Sequence, residues 1–194
     1  FLLMVSRDRA GTALLKQNFE KQLSEIKNNS TELKNLLNTD RPLTQEEKAI
    51  FYSNWYYTAI WALTSIEGFN SIESIEKYFQ LPRKLINDVV QFLLQTGLCV
   101  EKNGLLGPGH QYTHLESGSP LVSRHHANWR IKAMEKHPNL SQSEMCYSSP
   151  MTLSKKDALL IKQRLGDLIS EINKIRDPSP CEELHCLNID WIKI

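Results

Sequence analysis

Gly97 separates two hydrophobic periods that no single element can carry. Before it, Leu85, Val89, Phe92 and Leu93 recur at helical spacing with Ile86 and Val90 beside them, while Lys84, Asn87, Asp88, Gln91 and Gln95 fall on the other side. After it, Leu98-Cys99-Val100-Glu101 alternates as a strand does, with Leu98 and Val100 expected inside and Cys99 and Glu101 outside. Glycine ends a helix in the left-handed conformation at little cost, and Leu98 is placed to fold back as the hydrophobic partner of that cap. Asn103-Gly104 then favours a type I′ hairpin turn. Gly107-Pro108-Gly109 reads as a looser loop before Gln111-Tyr112-Thr113. Upstream, residues 71–79 read as a short helix that gives way to Leu81-Pro82. Helix, turn, helix and two-stranded hairpin over residues 71–114 predict a winged helix-turn-helix. Such a module binds DNA or a protein partner more often than it performs chemistry.

The flanks add helices on both sides. Residues 12–37 read as one long amphipathic helix in which Phe19, Leu23, Ile26, Ser30, Leu33 and Leu37 are spaced 4-3-4-3-4. That is the seam of a coiled coil between two copies, or equally the buried stripe of a helix packed on its own domain. Asp40-Arg41-Pro42 breaks the pattern, and Thr44 with Glu47 forms a capping box for the next helix. That helix carries Phe51, Tyr52, Trp55, Tyr56, Tyr57 and Trp61, six of the sixteen aromatics in the chain, on every face. Base-stacking platforms interleave Arg and Lys with their aromatics. None occurs between Ala49 and Glu76, so the cluster reads as the hub of the core. Residues 121–137 predict a helix with Ala127, Ile131 and Met134 on one stripe. Residues 145–153 and 184–194 read as strands around a helix that Ser154 caps with Asp157 at its third position, and Asp177-Pro178-Ser179-Pro180 ends it. Its stripe of Ala158, Ile161, Leu165, Leu168, Ile172 and Ile175 is spaced 3-4-3-4-3.

The expected fold class is therefore α+β and mostly helical. It has a winged helix-turn-helix core, a long N-terminal helix and a C-terminal strand-helix-strand unit. The expected divisions are linker and dimerisation helices over residues 1–40, the winged-helix domain over 41–120, and the helix plus strand-helix-strand region over 121–194. A strand-helix-strand unit is too small to stand alone, so it packs on the winged helix or pairs with a second copy. The chain of 194 residues opens on Phe1-Leu2-Leu3-Met4-Val5. This has the character of mid-helix and lacks a basic leader or cleavage site, so a fragment preceded by another segment is expected. No apolar run approaches the ~18–20 residues of a membrane span. Four scattered cysteines in a chain of this size fit a reducing, cytoplasmic setting.

On a winged helix the exposed face of the 82–96 helix is the one that meets the major groove. Arg83 and Lys84 are placed to touch phosphate, Asn87 and Gln91 to read adenine edges, and Lys102 is the one full positive charge of the wing. Two features oppose direct DNA reading: Asp88 in the middle of that face, and a net charge of only +1. A winged helix kept as a scaffold or protein-binding module is the competing reading. No cofactor is expected, and no nucleophile elbow, phosphate-binding loop, dinucleotide glycine fingerprint or zinc-protease motif argues for catalysis. Nor is a metal site expected. Cys181, His185 and Cys186 lie close together, but there is no C-x-x-C pair, and adjacent residues of a strand point to opposite faces. His125 and His126 point about 100° apart on a helix, so one is expected packed and the other at the surface.

Several short motifs, in order along nearly the whole chain, carry a resemblance. They are Tyr52-Ser53-Asn54-Trp55-Tyr56, Leu94-Gln95-Thr96-Gly97-Leu98, His126-Ala127-Asn128-Trp129-Arg130, Thr152-Leu153-Ser154-Lys155-Lys156-Asp157, and Pro178-Ser179-Pro180 with Leu187-Asn188-Ile189-Asp190-Trp191. With them the chain resembles a bacterial family of helix-turn-helix transcriptional regulators, frequent in predatory and cellulolytic bacteria, whose C-terminal region is a domain of unknown function. Asn54 stands where that family often has histidine. The resemblance implies no catalytic residues. It implies that a phage-repressor-like helix-turn-helix precedes this region and supplies most of the DNA affinity. The chain is then expected to be the C-terminal regulatory and dimerisation region of a one-component regulator, a homodimer whose 12–37 helix relays its state through Phe19, Leu23, Ile26, Leu33 and Leu37. The alternatives are a winged helix that itself binds DNA, and a protein-interaction adaptor with no DNA role.

Overall fold

The computed structural model describes residues 42–111, 113, 115 and 119–194. The 12–37 helix, with Phe19, Leu23, Ile26, Leu33 and Leu37, lies outside the described residues, as do Tyr112 and His114. The described elements are α1 (Gln45–Phe51), α2 (Trp55–Leu63), α3 (Ile72–Phe79), α4 (Arg83–Gln95), β1 (Cys99–Lys102), β2 (Leu105–Pro108), α5 (Leu121–Lys136) and α6 (Lys155–Arg176). A 3₁₀ turn over His137–Asn139 extends α5. The chain is thus α+β and helix-rich, and its one described sheet is an antiparallel pair with Lys102 opposite Leu105.

Local chemistry sets most of the helix ends. Thr44 and Glu47 close their capping box at α1, with Glu47 N–H to Thr44 Oγ1 at 3.2 Å and Thr44 N–H to Glu47 Oε2 at 2.7 Å. Ser154 caps α6 by accepting the Asp157 N–H at 3.1 Å, and its hydroxyl donates to Asp157 Oδ2 at 2.7 Å. Gly97 follows Thr96, the C-cap of α4, at φ 72, and its N–H donates to the Leu94 carbonyl at 3.2 Å. Asn103 and Gly104 sit at φ 54 and 81, both on the left-handed side that a type I′ turn requires.

The predicted single aromatic helix is in fact two. Tyr52 ends α1 and Asn54, extended at φ −143 and ψ 154, begins α2. Ser53 and Asn54 have short polar side chains that compete with helical backbone bonding. The carbonyls released at the break find partners elsewhere: Asn128 Nδ2 donates to Tyr52 O at 3.1 Å and Arg124 Nε to Ser53 O at 3.2 Å.

One apolar cluster runs through α1–α4 and the hairpin. Phe51, Ile60, Leu63, Ile75, Ile86, Val89, Leu93 and Leu98 are all 1 % exposed or less, each burial contributing about 1.5–3 kcal/mol. α4 turns Ile86, Val89, Val90 and Leu93 into this cluster, with Leu85 and Phe92 at its margin. In the hairpin the inside–outside order is shifted from the expected one. Cys99 is buried, Val100 half-buried, and Glu101 and Lys102 exposed. The left-handed turn at Gly97 swings Leu98 back onto the helix, so the strand's alternation begins one residue later, and a one-residue slip exchanges the faces. Cys99 Sγ lies 3.6 Å from Thr64 Oγ1, and burial pushes its thiol up to about 11. The return strand also starts earlier than expected, since Gly107 and Pro108 belong to β2 rather than to a loop.

The C-terminal region departs furthest from expectation. α6 forms, but residues 145–153 and 184–194 are not strands: both run outside any helix or strand. A strand needs a partner edge, and none among the described residues is offered. Met145 and Tyr147 stand 84 % and 78 % exposed. The α5 stripe is likewise reversed, with Ala127, Ile131 and Met134 facing outward. α5 docks with Leu121 against the core cluster, His125 on Tyr52 and Lys132 on Trp55, while Arg124 and Asn128 meet the carbonyls opened at the α1–α2 break.

Candidate nucleic-acid interface

The face expected to read DNA is built by α4 and bordered by α3. Arg83, Lys84, Asn87, Asp88, Gln91 and Gln95 are exposed, with Arg83, Asn87 and Gln91 in one line at four-residue spacing. The structure therefore gathers four of the five sequence-selected residues on one surface. Lys102 stands apart at the hairpin tip, next to the Asn103-Gly104 turn.

Arg83 is already engaged. Its Nη2 lies 2.6 Å from Glu73 Oε1 and its Nη1 3.0 Å from Glu76 Oε2, both on α3. The guanidinium bridges two carboxylates from the preceding helix. Its own hydrogen bonds hold the Glu73 carboxyl below the usual range and hold Arg83 still more firmly protonated. At the N-terminal end of α4 the Arg83 charge is thus offset by two carboxylates, and Lys84 is the further cation of that end. The turn that brings α3 and α4 together passes through Gln80 at φ 54. Glu73 and Glu76 were absent from the sequence-selected residues. Their i,i+3 spacing put them on one helix face, but only the crossing of α3 and α4 aims that face at Arg83.

Beside this face runs an aromatic border. The rings of Trp55 and Phe79 lie 5.6 Å apart, and those of Tyr57 and Phe92 5.4 Å, each pair edge to face. Burial, then neighbouring Tyr56 and Asp88, push the Tyr57 phenol upward. Lys132 of α5 places Nζ 4.3 Å above the Trp55 ring, so one cation near the aromatics is held by them rather than presented outward.

A second polar assembly joins residues that lie far apart in sequence. Tyr52 stacks edge to face on His125 at 5.1 Å, and its hydroxyl lies 3.0 Å from Thr113 Oγ1. Arg130 grips the Asp190 carboxylate through Nε at 2.8 and 2.9 Å and through Nη2, and Nη2 also donates to Ile189 O at 3.3 Å. Three of the motifs that carried the family resemblance, around Tyr52, Asn128 and Asp190, thus meet at α5. Of the adjacent histidines, His125 is half-buried and His126 exposed, as their 100° separation requires.

This arrangement has a pH consequence. Burial, and then the neighbouring His126, lower the His125 pKa below its ordinary 6.5. The unfolded chain then binds the proton more readily than the folded one. The stabilisation is fully present above pH 6.5, declines below it, and is lost as pH falls through the lowered folded value. The melting temperature is expected to fall between pH 7.5 and 5.5, and His125→Phe to flatten that dependence; an equal slope in the variant would show that another group carries it.

No helix among the described residues is long and apolar enough to cross a membrane. Among them, too, no three His, Cys, Asp or Glu side chains are grouped to hold a metal ion. His185 and Cys186 do not lie on the strand expected for them; both residues are exposed, outside any helix or strand. The four cysteines are free thiols.

The family model of a domain of unknown function, DUF4423, matches residues 34–193, and the chain belongs to that family. No curated protein and no solved structure matches the chain.

Proposed function

We propose that this chain is the C-terminal regulatory and dimerisation region of a bacterial one-component transcriptional regulator, with DNA affinity supplied mainly by a helix-turn-helix that precedes it. α2, α3, α4 and the hairpin follow one another as in a winged helix, and that likeness supports descent from a DNA-binding module. The observation that carries the reading is the Glu73–Arg83–Glu76 bridge. On a phosphate-binding helix the N-terminal arginine is kept open for the backbone, whereas here it is spent on two carboxylates, and Asp88 adds a further negative charge. The family resemblance supports the regulator, and the net charge of +1 supports a region that leaves DNA to another domain. The expected partners are a second copy and DNA through that other domain. The expected setting is cytoplasmic.

A second reading, that α4 itself reads DNA, is favoured by Lys84, Asn87 and Gln91 on one exposed face. Fluorescence anisotropy with random duplex at low salt separates the two. Under the leading reading the chain binds more weakly than the ~10⁻⁴–10⁻⁶ M of ordinary non-specific binders, and Glu73→Gln with Glu76→Gln, which releases Arg83, tightens it. Micromolar binding by the unaltered chain that Lys84→Ala and Gln91→Ala abolish would overturn the leading reading. A chain that binds no DNA even beside its preceding domain is a protein-interaction adaptor.

A further inference from the structure

Among the described residues, the region beyond residue 120 keeps much of its apolar surface exposed. Every buried residue among those described lies between Leu43 and Leu106, whereas fifteen of the nineteen exposed large hydrophobics follow residue 120. α6 is the longest helix of that region, and it buries no residue. Its stripe is half-buried at Ala158, Ile161, Leu165 and Ile172 and open at Leu168 and Ile175, 44 % and 71 % exposed.

The 3-4-3-4-3 spacing of that stripe reads the same in both directions. Turned end for end about a twofold axis between Gly166 and Asp167, it meets itself in register. Ala158 then lies opposite Ile175 of the second copy, Ile161 opposite Ile172, and Leu165 opposite Leu168. This is the alternation that an antiparallel seam requires. The flanking charges agree with the same axis. On one side Arg164 faces Glu171 of the second copy, and symmetry repeats the pair. Within one helix these two residues are seven apart, about 10.5 Å along the axis, so neither can neutralise the other. Neither is in an ion pair with another described residue. On the other side Lys162 lies along Ile169, itself 43 % exposed. The one like-charged apposition, Lys155 with Arg176, falls at the helix ends, where fraying weakens it.

We propose that the exposed face of α6 is covered by α6 of a second copy, packed antiparallel about that axis. This rests on the homodimer reading above and places its contact on α6 rather than on residues 12–37.

Sedimentation equilibrium of the full chain across the micromolar range tests it. A dimer is expected, and Leu168→Lys is expected to convert it to monomer while circular dichroism keeps its helical signal. Arg164→Glu and Glu171→Arg are each expected to weaken the dimer about 10-fold, since two symmetry-related pairs are lost. The two together are expected to restore it, which a merely structural role would not. A dimer indifferent to Leu168→Lys but split by Leu23→Lys would overturn the α6 contact and leave the homodimer standing. A charge swap that fails to restore association would overturn the register. A monomer at every concentration would overturn both.

Discussion

Phe51→Ala is expected to lower the stability of the chain by about 3–5 kcal/mol, the largest loss available to a single truncation here. The side chain is 1 % exposed at the last position of α1. Its ring meets Tyr52 edge to face at 5.0 Å and Trp61 at 5.9 Å, contacts that add about 0.5–1.5 kcal/mol beyond area burial. Trp61 in turn donates from Nε1 to Leu98 O at 3.0 Å, so the hole would open beneath the ring that ties α2 to the hairpin. The ring sits in one contiguous cluster with Ile60, Leu63, Leu93 and Leu98, whose own packing limits how far they can collapse into the space. Domains are typically stable by only 5–15 kcal/mol, so the variant is expected near the edge of unfolding at room temperature. Urea denaturation read by fluorescence should show the midpoint fall by a third or more with an unchanged slope. A loss under about 1 kcal/mol would mean that the aromatic hub is not the centre of the core.

The elements that sequence reading placed correctly are those whose causes are local. The Thr44–Glu47 and Ser154–Asp157 caps, the Gly97 stop and the Asn103-Gly104 turn each depend on residues within four positions of one another, and each formed. The failures share the opposite property. Whether residues 145–153 and 184–194 become strands depends on a partner edge, which the chain's own residues do not announce. The outward stripe of α5 misled because Ile131 and Met134 look like core, whereas the helix is fixed by hydrogen bonds from Arg124 and Asn128 to carbonyls freed 71 and 76 residues away. Those carbonyls are open only because α1 and α2 are separate helices, which the continuous aromatic pattern concealed. The recognition face shows both behaviours. Its exposed residues followed from helical period, while the capture of Arg83 by Glu73 and Glu76 required the crossing of two helices.

Gly109→Ala is expected to be the second most damaging small change, although it adds a single methyl group. Built on this backbone, the Cβ would sit 1.9 Å from the Gly97 carbonyl oxygen and under 3 Å from the carbonyl carbons of Gly97 and Leu98. All three are main-chain atoms, so no rotamer change relieves the contact. The crowding exists because the outgoing chain is laid against the end of α4: Gly109 N–H donates to Leu98 O at 2.9 Å and Gln111 N–H to Gly97 O at 3.3 Å. The Leu98 carbonyl also receives the Trp61 indole, so moving the strap to admit a methyl disturbs the hairpin and the aromatic hub together. Overpacking of this kind costs about 1–3 kcal/mol, and the rigid neighbours place this case at the upper end. By contrast, a Cβ added at Gly107, two residues earlier, would meet nothing within 4 Å. Gly107→Ala is therefore the control for composition and strand propensity, expected within about 0.5 kcal/mol of the unaltered chain. Thermal melts of the two variants side by side decide the matter. Equal melting temperatures would show that the strap can shift without cost and that the Gly97–Gly109 crossing does not hold the hairpin to α4.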